Sequence, residues 1–514
     1  MDGGQSEQPL PEDPHPGPEG SGPRGSGATG SGVTGSGPRD PDSQDSGPRA
    51  SAPGASAQGG TPPEVAPQSV DAPTPGDSGR VDDRGWRRLR TAIASGPPPG
   101  PTRPEFWRSP IRGPWLTAVF GLALLCGVSV LFVTGLLSYA AYDPDLARIN
   151  DQTPDKGLLG FYLFTWPTSP HWGYRLSQGV HVTLGIVLIP VLLGKLWSVI
   201  PKLFEWPPVR SVSHAVERLS LLLLVGGAGF EFATGVLNVQ LHYVFPGSFY
   251  VLHFYGAWVF IGAFVVHVVF RLRRAVIAVV KGPRAEEGHP ARPLGADGSG
   301  LVTPRPAAPT MSRRGAVLLV GAGSAALLVV TVGQSIGGWL RGTALLAPHG
   351  QDPGTGPNGF QINKTAASVG IRPSDIGPAW RLTVRAAGRQ TVLTRDELYA
   401  LPRRTARLPI ACVEGWSTPD QQWEGVRLVD LAALVGLTHD VPRLLVESVQ
   451  RGGSFSSVVL AANQVRDSRS LLALEVNGAT LSPDHGYPAR VIVPNAPGVH
   501  NTKWVTRLTF GEPT

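Results

Sequence analysis

The sequence has very little cysteine, since its 514 residues include only Cys126 and Cys412. Cys126 lies in an apolar run, where a small core residue is predicted. Cys412 lies in the segment Leu408-Pro-Ile-Ala-Cys-Val-Glu-Gly-Trp-Ser417, between a β-type run and a polar turn. A lone thiol in this position cannot be half of a disulfide. It is either inert and buried or it is a metal ligand or nucleophile, and the residue alone leaves both interpretations open.

The first 100 residues have almost no aliphatic side chains and are rich in glycine, proline, serine, aspartate and arginine. Such a segment cannot bury enough apolar surface to offset its ordering entropy, so residues 1–100 are predicted to be a disordered tail. No apolar stretch follows the start, so a secretory signal peptide is not expected there.

Acidic side chains are fewer than basic ones, which gives a formal net charge of +7 at pH 7. A positive chain can indicate a nucleic-acid partner, but the arginines and lysines here cluster beside apolar segments. That arrangement is the positive-inside pattern of a membrane protein, so no nucleic-acid partner is predicted.

Five long apolar segments each have roughly the 20 residues that a membrane crossing requires. Basic residues are concentrated before the first segment and after the second and fourth, whereas the loop 238–248 after the third has none. This pattern predicts a multi-pass plasma-membrane protein in contact with the lipid bilayer, with a cytoplasmic N-terminus and an extracytoplasmic C-terminal domain. The segments cover about 115–139, 177–200, 217–241, 249–271 and 315–337; a four-helix domain is predicted over 110–285 and a basic cytoplasmic linker over 286–314.

The fifth segment has a second interpretation. The run Ser312-Arg-Arg-Gly-Ala-Val-Leu-Leu319 and the Gly/Ala-rich stretch after it look like a twin-arginine export signal. An ordinary anchoring span with a basic cytoplasmic flank predicts the same topology, so the sequence leaves cleavage of this segment open.

Histidines occur inside the predicted spans. His253 and His267 are 14 residues apart in the fourth segment, which puts them within roughly 40° of one helix face and about 21 Å apart along the axis. Because the helices alternate in direction, His181 can meet His253 near the outer face and His214 can meet His267 near the cytoplasmic face. Paired histidines at two depths favour two stacked b-type haems with these four residues as iron ligands. The alternative is four packed or hydrogen-bonded histidines.

This histidine spacing resembles the di-haem cytochrome b subunits of membrane formate dehydrogenases and nickel-iron hydrogenases, over about residues 110–285. In that family the first helix supplies one ligand, but the first span here has no histidine. His214 therefore has to replace it. Glu231, in the middle of the third span, either carries protons to a quinone site or is neutral and hydrogen-bonded.

Residues 358–512 alternate short β-type and helical patterns, which predicts an α+β domain. The strands are predicted over 380–385, 443–448, 456–460, 472–476, 490–493 and 503–510, and the helices over 394–400 and 428–435.

Six segments of this domain resemble, in order, the molybdopterin domain of the sulfite oxidase superfamily, and more closely its branch of periplasmic methionine sulfoxide reductases. The resemblance implies that Cys412 is the catalytic thiolate ligand of molybdenum, a soft ligand that suits the metal. The segments are Leu393-Thr-Arg-Asp-Glu-Leu398, Cys412-Val-Glu-Gly-Trp-Ser417, Trp423-Glu-Gly-Val-Arg-Leu428, Leu471-Leu-Ala-Leu-Glu-Val-Asn-Gly478, Asp484-His-Gly-Tyr-Pro-Ala-Arg490 and Gly498-Val-His-Asn-Thr-Lys-Trp504.

The same resemblance implies a set of contacts to the molybdopterin cofactor. Arg490 and Lys503 are the cations suited to its phosphate. His485 stands where the methionine sulfoxide reductase branch has an asparagine, and His500 is adjacent to either pterin or substrate. The further contacts implied by motif position are Asn363, Ser448, Asn501 and Thr502.

Together these features predict a membrane-bound molybdenum oxidoreductase fused to its own cytochrome b, exchanging electrons with the quinone pool. By resemblance, the enzyme either reduces a sulfoxide such as oxidised methionine or oxidises sulfite. The alternative is a non-enzymatic membrane electron carrier whose outer domain binds no molybdenum and serves for docking.

Overall fold

The structure, a computed structural model, describes residues 91, 96–142, 164–240, 244, 249–283, 301, 303, 305–347, 356–451 and 456–511. All of them belong to one compact unit, Val81–Thr514. Most of the predicted tail 1–100, and about half of the predicted linker 286–314, lie outside the described residues.

The described N-terminal half contains five long apolar helices, as the sequence predicted, and each is long and apolar enough to cross a membrane. The third begins five residues earlier than predicted, so that His214 lies in its first turn, where the Ser211 side chain accepts a hydrogen bond from the His214 backbone. Insertion into a bilayer stays a prediction. The helices are α1 (Pro114–Ala141), α2 (Gly173–Leu203), α3 (Val212–Val239), α4 (Phe249–Lys281) and α5 (Arg313–Ile336).

The helices approach one another closely where small residues face larger ones. Helix α1 packs against α2 and α4, α3 against α4, and α5 against α2. A Cβ on Gly194 of α2 would lie 3.1 Å from Phe120 of α1, and one on Gly227 of α3 would lie 3.0 Å from Phe260 of α4. Small residues at helix contacts allow the van der Waals packing that joins helices in apolar surroundings.

The C-terminal domain is α+β, as predicted, and contains two five-stranded sheets. In the first sheet the order is β2-β1-β10-β5-β6; in the second it is β3-β4-β7-β8, with β9 paired to β7. The strands are β1 (Leu382–Ala386), β2 (Arg389–Leu393), β3 (Arg404–Leu408), β4 (Gln421–Arg427), β5 (Leu444–Ser448), β6 (Ser457–Leu460), β7 (Leu471–Val476), β8 (Ala479–Thr480), β9 (Arg490–Ile492) and β10 (Val505–Phe510); the helices are α6 (Arg395–Ala400), α7 (Leu428–Ala433) and α8 (Ala462–Arg466).

The last strand determines where the site forms. Strand β10 lies between β1, to which it is parallel, and β5, to which it is antiparallel. It therefore occupies the centre of the first sheet, with Val505 and Leu508 fully buried in the main core. The chain must cross from β9, in the second sheet, to reach it. The crossing segment, residues 493–504, contains four of the eight predicted cofactor contacts: His500, Asn501, Thr502 and Lys503.

Asn495 joins this domain to the ends of the helices. Its side-chain oxygen accepts a hydrogen bond from the backbone of Tyr174 at 2.5 Å, and its side-chain nitrogen donates to the carbonyl of Pro167 at 2.7 Å. The indole of Trp166 donates to the Asn495 carbonyl at 2.6 Å. Asparagine tolerates the left-handed backbone (φ +52°) found here. Three hydrogen bonds thus hold the crossing segment on the start of α2 and on the segment just before it.

Candidate molybdenum and haem sites

Cys412 lies in a tight turn between β3 and β4. Its backbone nitrogen donates to the carbonyl of Trp416 at 3.0 Å, and its carbonyl accepts from Gly415 at 3.1 Å. Gly415 has a φ of +88°, which favours glycine. Burial, and next the neighbouring carboxylate of Glu414, raise the pKa of the Cys412 thiol well above its usual value. A bound metal cation reverses that effect, because it stabilises the thiolate.

The crossing segment lies directly against this turn. The backbone of Gly498 donates to the carbonyl of Ala411 at 2.7 Å, and a Cβ at Gly498 would lie 3.0 Å from the same oxygen. His500 is fully buried, and neither of its ring nitrogens has a hydrogen-bond partner among the described residues. The side-chain nitrogen of Asn501 is also buried without a partner. Buried polar atoms without partners are costly, so they indicate a polar ligand beside Cys412.

Two buried cations lie in the same region. Arg490 is 3% exposed, burial lowers its pKa to about 9, and its Nε has no partner. Burial, and next the charge of Arg490, hold the pKa of Lys503 well below its usual value. Its ammonium group donates to the carbonyls of Lys364 and Asp484 at 2.8 and 2.7 Å. Burial alone accounts for the lowered pKa of Arg490, whereas the charges of Asp484 and Cys412 partly offset the lowering of the Lys503 pKa. An anionic phosphate would supply the missing countercharge.

Two more of the predicted cofactor contacts, His485 and Ser448, make hydrogen bonds to other residues of the domain. The ring of His485 stacks on Phe360 at 3.9 Å, and its nitrogens lie 3.1 Å from the side-chain oxygen of Asn358 and 3.3 Å from the carbonyl of Gln361. Burial, and next Arg490, lower the His485 pKa to about 4. The hydroxyl of Ser448 donates to the Lys503 carbonyl at 2.8 Å and so fixes the backbone of that lysine.

The remaining two predicted contacts differ in burial. Thr502 is 5% exposed, and its carbonyl accepts from Val491 at 2.9 Å. Asn363 is exposed. A cofactor contact by any of the eight predicted residues stays a prediction.

Replacing Arg490 with methionine is expected to reduce cofactor retention. A hydrogen bond to a charged group contributes about 1.5–3 kcal/mol, so cofactor binding should weaken roughly 10- to 100-fold. The measurement is molybdenum and pterin content per purified chain. Arg407→Met is the matched control, because Arg407 is an exposed arginine on β3. Equal loss in both variants would contradict a specific role for Arg490.

The second candidate site lies between α2 and α4. The rings of His181 and His253 have centroids 6.4 Å apart and planes at 81°. Two imidazoles bound to opposite sides of one metal, with metal–nitrogen bonds of about 2 Å, have ring centres about 6 Å apart. The two rings face a largely apolar cavity of about 220 Å³. The ring spacing fits bis-histidine ligation of one metal, and the apolar lining of the cavity suits a haem.

The other ring nitrogen of each histidine is already hydrogen-bonded. Nδ1 of His181 lies 3.0 Å from the carbonyl of Leu131, which can only accept, so Nδ1 carries the proton. Nδ1 of His253 lies 3.1 Å from a carboxylate oxygen of Glu231. The proton on Nδ1 of His181 leaves its Nε2 as a bare nitrogen, the form that binds iron. A neutral His253 ring that donates through Nδ1 to Glu231 would present its Nε2 in the same way, oriented by a partner behind the ring.

The same Thr-Gly pair lies beside both histidine rings, and this repeat was not recognised from the sequence alone. The hydroxyl of Thr134 lies 3.1 Å from Nδ1 of His181, and that of Thr234 lies 2.9 Å from Nδ1 of His253. Each threonine is followed by a glycine, in Thr134-Gly-Leu-Leu137 of α1 and Thr234-Gly-Val-Leu237 of α3. A Cβ at Gly135 would lie 3.3 Å from the His181 ring. Comparing the first and third spans would have revealed this repeat.

His214 and His267 are not brought together in the same way. Glu217 of α3 pairs with Arg271 of α4 at 2.9 Å, so these two residues lie at the same level along the helices. With a rise of 1.5 Å per residue, His214 lies roughly 10 Å closer to the helix ends than His267. Nδ1 of His214 accepts from the backbone of Arg210 at 3.1 Å. Ligation of a second haem by this pair stays a prediction without such geometric support.

The two candidate sites adjoin. Val413, the residue after the predicted molybdenum ligand, lines the cavity that holds His181 and His253. Tyr142, at the end of α1, lines the same cavity, and its ring lies 6.1 Å from that of His500.

Comparison with known proteins identifies the C-terminal domain. Residues 370–513 match the family described as the oxidoreductase molybdopterin binding domain. The uncharacterized oxidoreductase YuiH of Bacillus subtilis (strain 168) is 30% identical over 119 residues, which are 23% of this chain and 58% of that protein. The mitochondrial sulfite oxidase of Drosophila melanogaster is 28% identical over 165 residues, which are 28% of each protein.

Among solved structures, the sulfane dehydrogenase SoxCD from Paracoccus pantotrophus aligns with 25% identity and a TM-score of 0.24, over 26% of this chain and 39% of that one. The chain thus spans less than two thirds of the length of these relatives. Its C-terminal region is a molybdopterin-binding oxidoreductase domain of the sulfite oxidase family, which implies a molybdenum cofactor.

Proposed function

We propose that this sulfite oxidase-family domain and the helices before it form one membrane-bound oxidoreductase. It would couple oxygen-atom transfer at an extracytoplasmic molybdenum site to b-type haem and the quinone pool. The observation that supports this most directly is the contact between the two candidate sites: Val413, adjacent to Cys412, lines the cavity of His181 and His253.

The residues of the outer site fit a molybdopterin. The Cys412 thiolate would hold the metal, while Arg490 and Lys503 would offset the negative charge of the phosphate. His500 and Asn501 have unpaired buried nitrogens that suit the polar atoms of a pterin. When bound, the molybdenum cofactor supplies two-electron oxygen-atom transfer.

The residues between the helices fit one haem. His181 and His253 would ligate its iron through Nε2, with their orientation held by Leu131 and Glu231. Haem supplies one-electron transfer, which lets a two-electron site exchange electrons singly with quinone. Support for a second haem on His214 and His267 is limited to their position in the sequence.

The proposed substrate is a small sulfur compound that gains or loses one oxygen atom. The Drosophila relative is named a sulfite oxidase, and the turn around Cys412 resembles that of periplasmic methionine sulfoxide reductases. Sulfite and one water yield sulfate, two protons and two electrons, which quinone accepts. A sulfoxide takes two protons and two electrons from quinol and yields the sulfide and water.

The test is a metal and spectral assay on full-length protein purified from membranes. We expect about one molybdenum per chain and reduced b-type haem absorbance. Haem reduction by added sulfite would indicate a dehydrogenase that feeds quinone. Reoxidation of quinol-reduced haem by methionine sulfoxide would indicate a reductase. Protein that retains haem but no molybdenum would contradict the enzyme proposal and favour the electron-carrier alternative.

A further inference from the structure

The turn that contains Cys412 is attached to helix α2 by a buried hydrogen bond. The side-chain nitrogen of Gln178 donates to the carbonyl of Val413 at 2.6 Å. Gln178 is 4% exposed, and its side-chain oxygen is buried without a partner among the described residues. Gln178 and His181 are three residues apart on α2, so both lie on the helix face that borders the cavity.

The same turn packs directly on the residue after His181. A Cβ at Gly415 would lie 2.7 Å from Cβ of Val182, a distance that two such atoms do not adopt. Only glycine therefore lets the turn approach α2 this closely. The backbone of the turn and the wall of the cavity are in van der Waals contact at this point.

Helix α5 holds the turn from the other side. The hydroxyl of Ser335 donates to the Gly415 carbonyl at 2.5 Å, and the hydroxyl of Ser417 donates to the Ser335 carbonyl at 2.6 Å. Arg175 of α2 donates to Ser417 at 2.9 Å and to the Ser335 carbonyl at 3.1 Å. Contacts from two helices, together with those of Asn495, hold the domain against the helix ends, and the bond from Gln178 holds the backbone at the residue next to Cys412.

We propose that Gln178 is a positioning residue that fixes the turn on the cavity wall, so that electrons pass between the molybdenum domain and the helix bundle at Val413 without domain movement. The proposal rests on the proposed function, since it assumes a redox centre on each side of Val413. Each sulfur atom that is oxidised gives two electrons to quinone, and each one that is reduced takes two from quinol. The two electrons pass Val413 one at a time.

The test compares wild-type full-length protein with Gln178→Met, which keeps the length of the side chain but cannot donate a hydrogen bond. Molybdenum content and haem absorbance are expected to be unchanged. Substrate-driven haem reduction, followed by stopped flow, should be independent of viscosity in the wild type. In the variant it should be several-fold slower and should decrease further as glycerol is added. Hydrogen exchange at the amides of residues 413–415 should increase.

Arg469→Ala is the matched control, because Arg469 donates to Thr168 and Ser169 at the same interface but away from the turn. Its haem reduction should match that of the wild type. The proposal fails if Gln178→Met reduces haem at the wild-type rate, if the wild-type rate already decreases with viscosity, or if the control slows equally. Wild-type protein without haem, or with haem that no substrate reduces or reoxidises, would instead contradict the proposed function.

Discussion

Replacing Cys412 with serine is expected to abolish substrate turnover while the haem spectrum stays unchanged. The variant exchanges a soft thiolate for a hard hydroxyl that remains protonated at neutral pH, so the metal loses its protein ligand. Changes to residues behind a metal ligand cost roughly 10- to 100-fold in affinity or activity, and loss of the ligand itself should exceed that range. Turnover and molybdenum per chain are the measurements.

The chain offers a matched control for this experiment in its other cysteine. The prediction of Cys126 as a core residue was wrong, because it lies on an exposed part of α1. Cys126→Ser should therefore keep wild-type turnover and metal content. If Cys412→Ser retained both, the thiol would be the inert, buried residue that the sequence alone left open. The domain would then hold its cofactor through Arg490 and Lys503 without a protein ligand to the metal.

Replacing His253 with alanine is expected to remove the b-type absorbance and to stop electron exchange with quinone. The variant loses one of two ligands facing each other across the cavity, and the carboxylate of Glu231 loses its partner. Molybdenum content should stay near the wild-type value, because Cys412, Arg490 and Lys503 are untouched. Reduced-minus-oxidised spectra of purified protein, together with quinone-linked turnover, measure the effect.

Two further histidine variants test whether the effect is specific to the cavity and whether a second haem is bound. His171 pairs with Asp420 at 3.2 Å outside the cavity, so His171→Ala should leave the spectrum unchanged. His214→Ala should also leave it unchanged if one haem is bound and should halve the absorbance if two are. Full haem content in His253→Ala would show that the cavity is not a haem site.

The helices and the general class of the C-terminal domain were predictable because their signals are local. Length and mean apolarity suffice to predict a helix that can cross a membrane, and all five were found. Four lie within five residues of the expected bounds, whereas α4 extends ten residues beyond its predicted end at residue 271. The six motifs around Cys412 likewise predicted the family match over residues 370–513. Strand β4 was missed because it alternates weakly in polarity and also pairs with β7, which is more than 40 residues away along the chain.

The candidate haem site was only partly predictable. Opposite helix directions sufficed to pair His181 with His253, and the structure brings those rings together. The same reasoning paired His214 with His267, but the register of α3 against α4 separates them along the helix axis. Register depends on side-chain packing, such as that of Gly227 on Phe260, which helix length and direction do not specify.

The sequence by itself determined the chemistry available to this protein: one thiol in a molybdopterin motif, two cations in motifs near the C-terminus, and histidines in apolar helices. Only the tertiary structure decided that the candidate molybdenum site and the His181–His253 cavity adjoin. The hydrogen bonds of Asn495 to the start of α2, and of Gln178 to Val413, join residues more than 200 positions apart. No local pattern encodes such contacts, because they depend on how the whole domain packs against the helix ends.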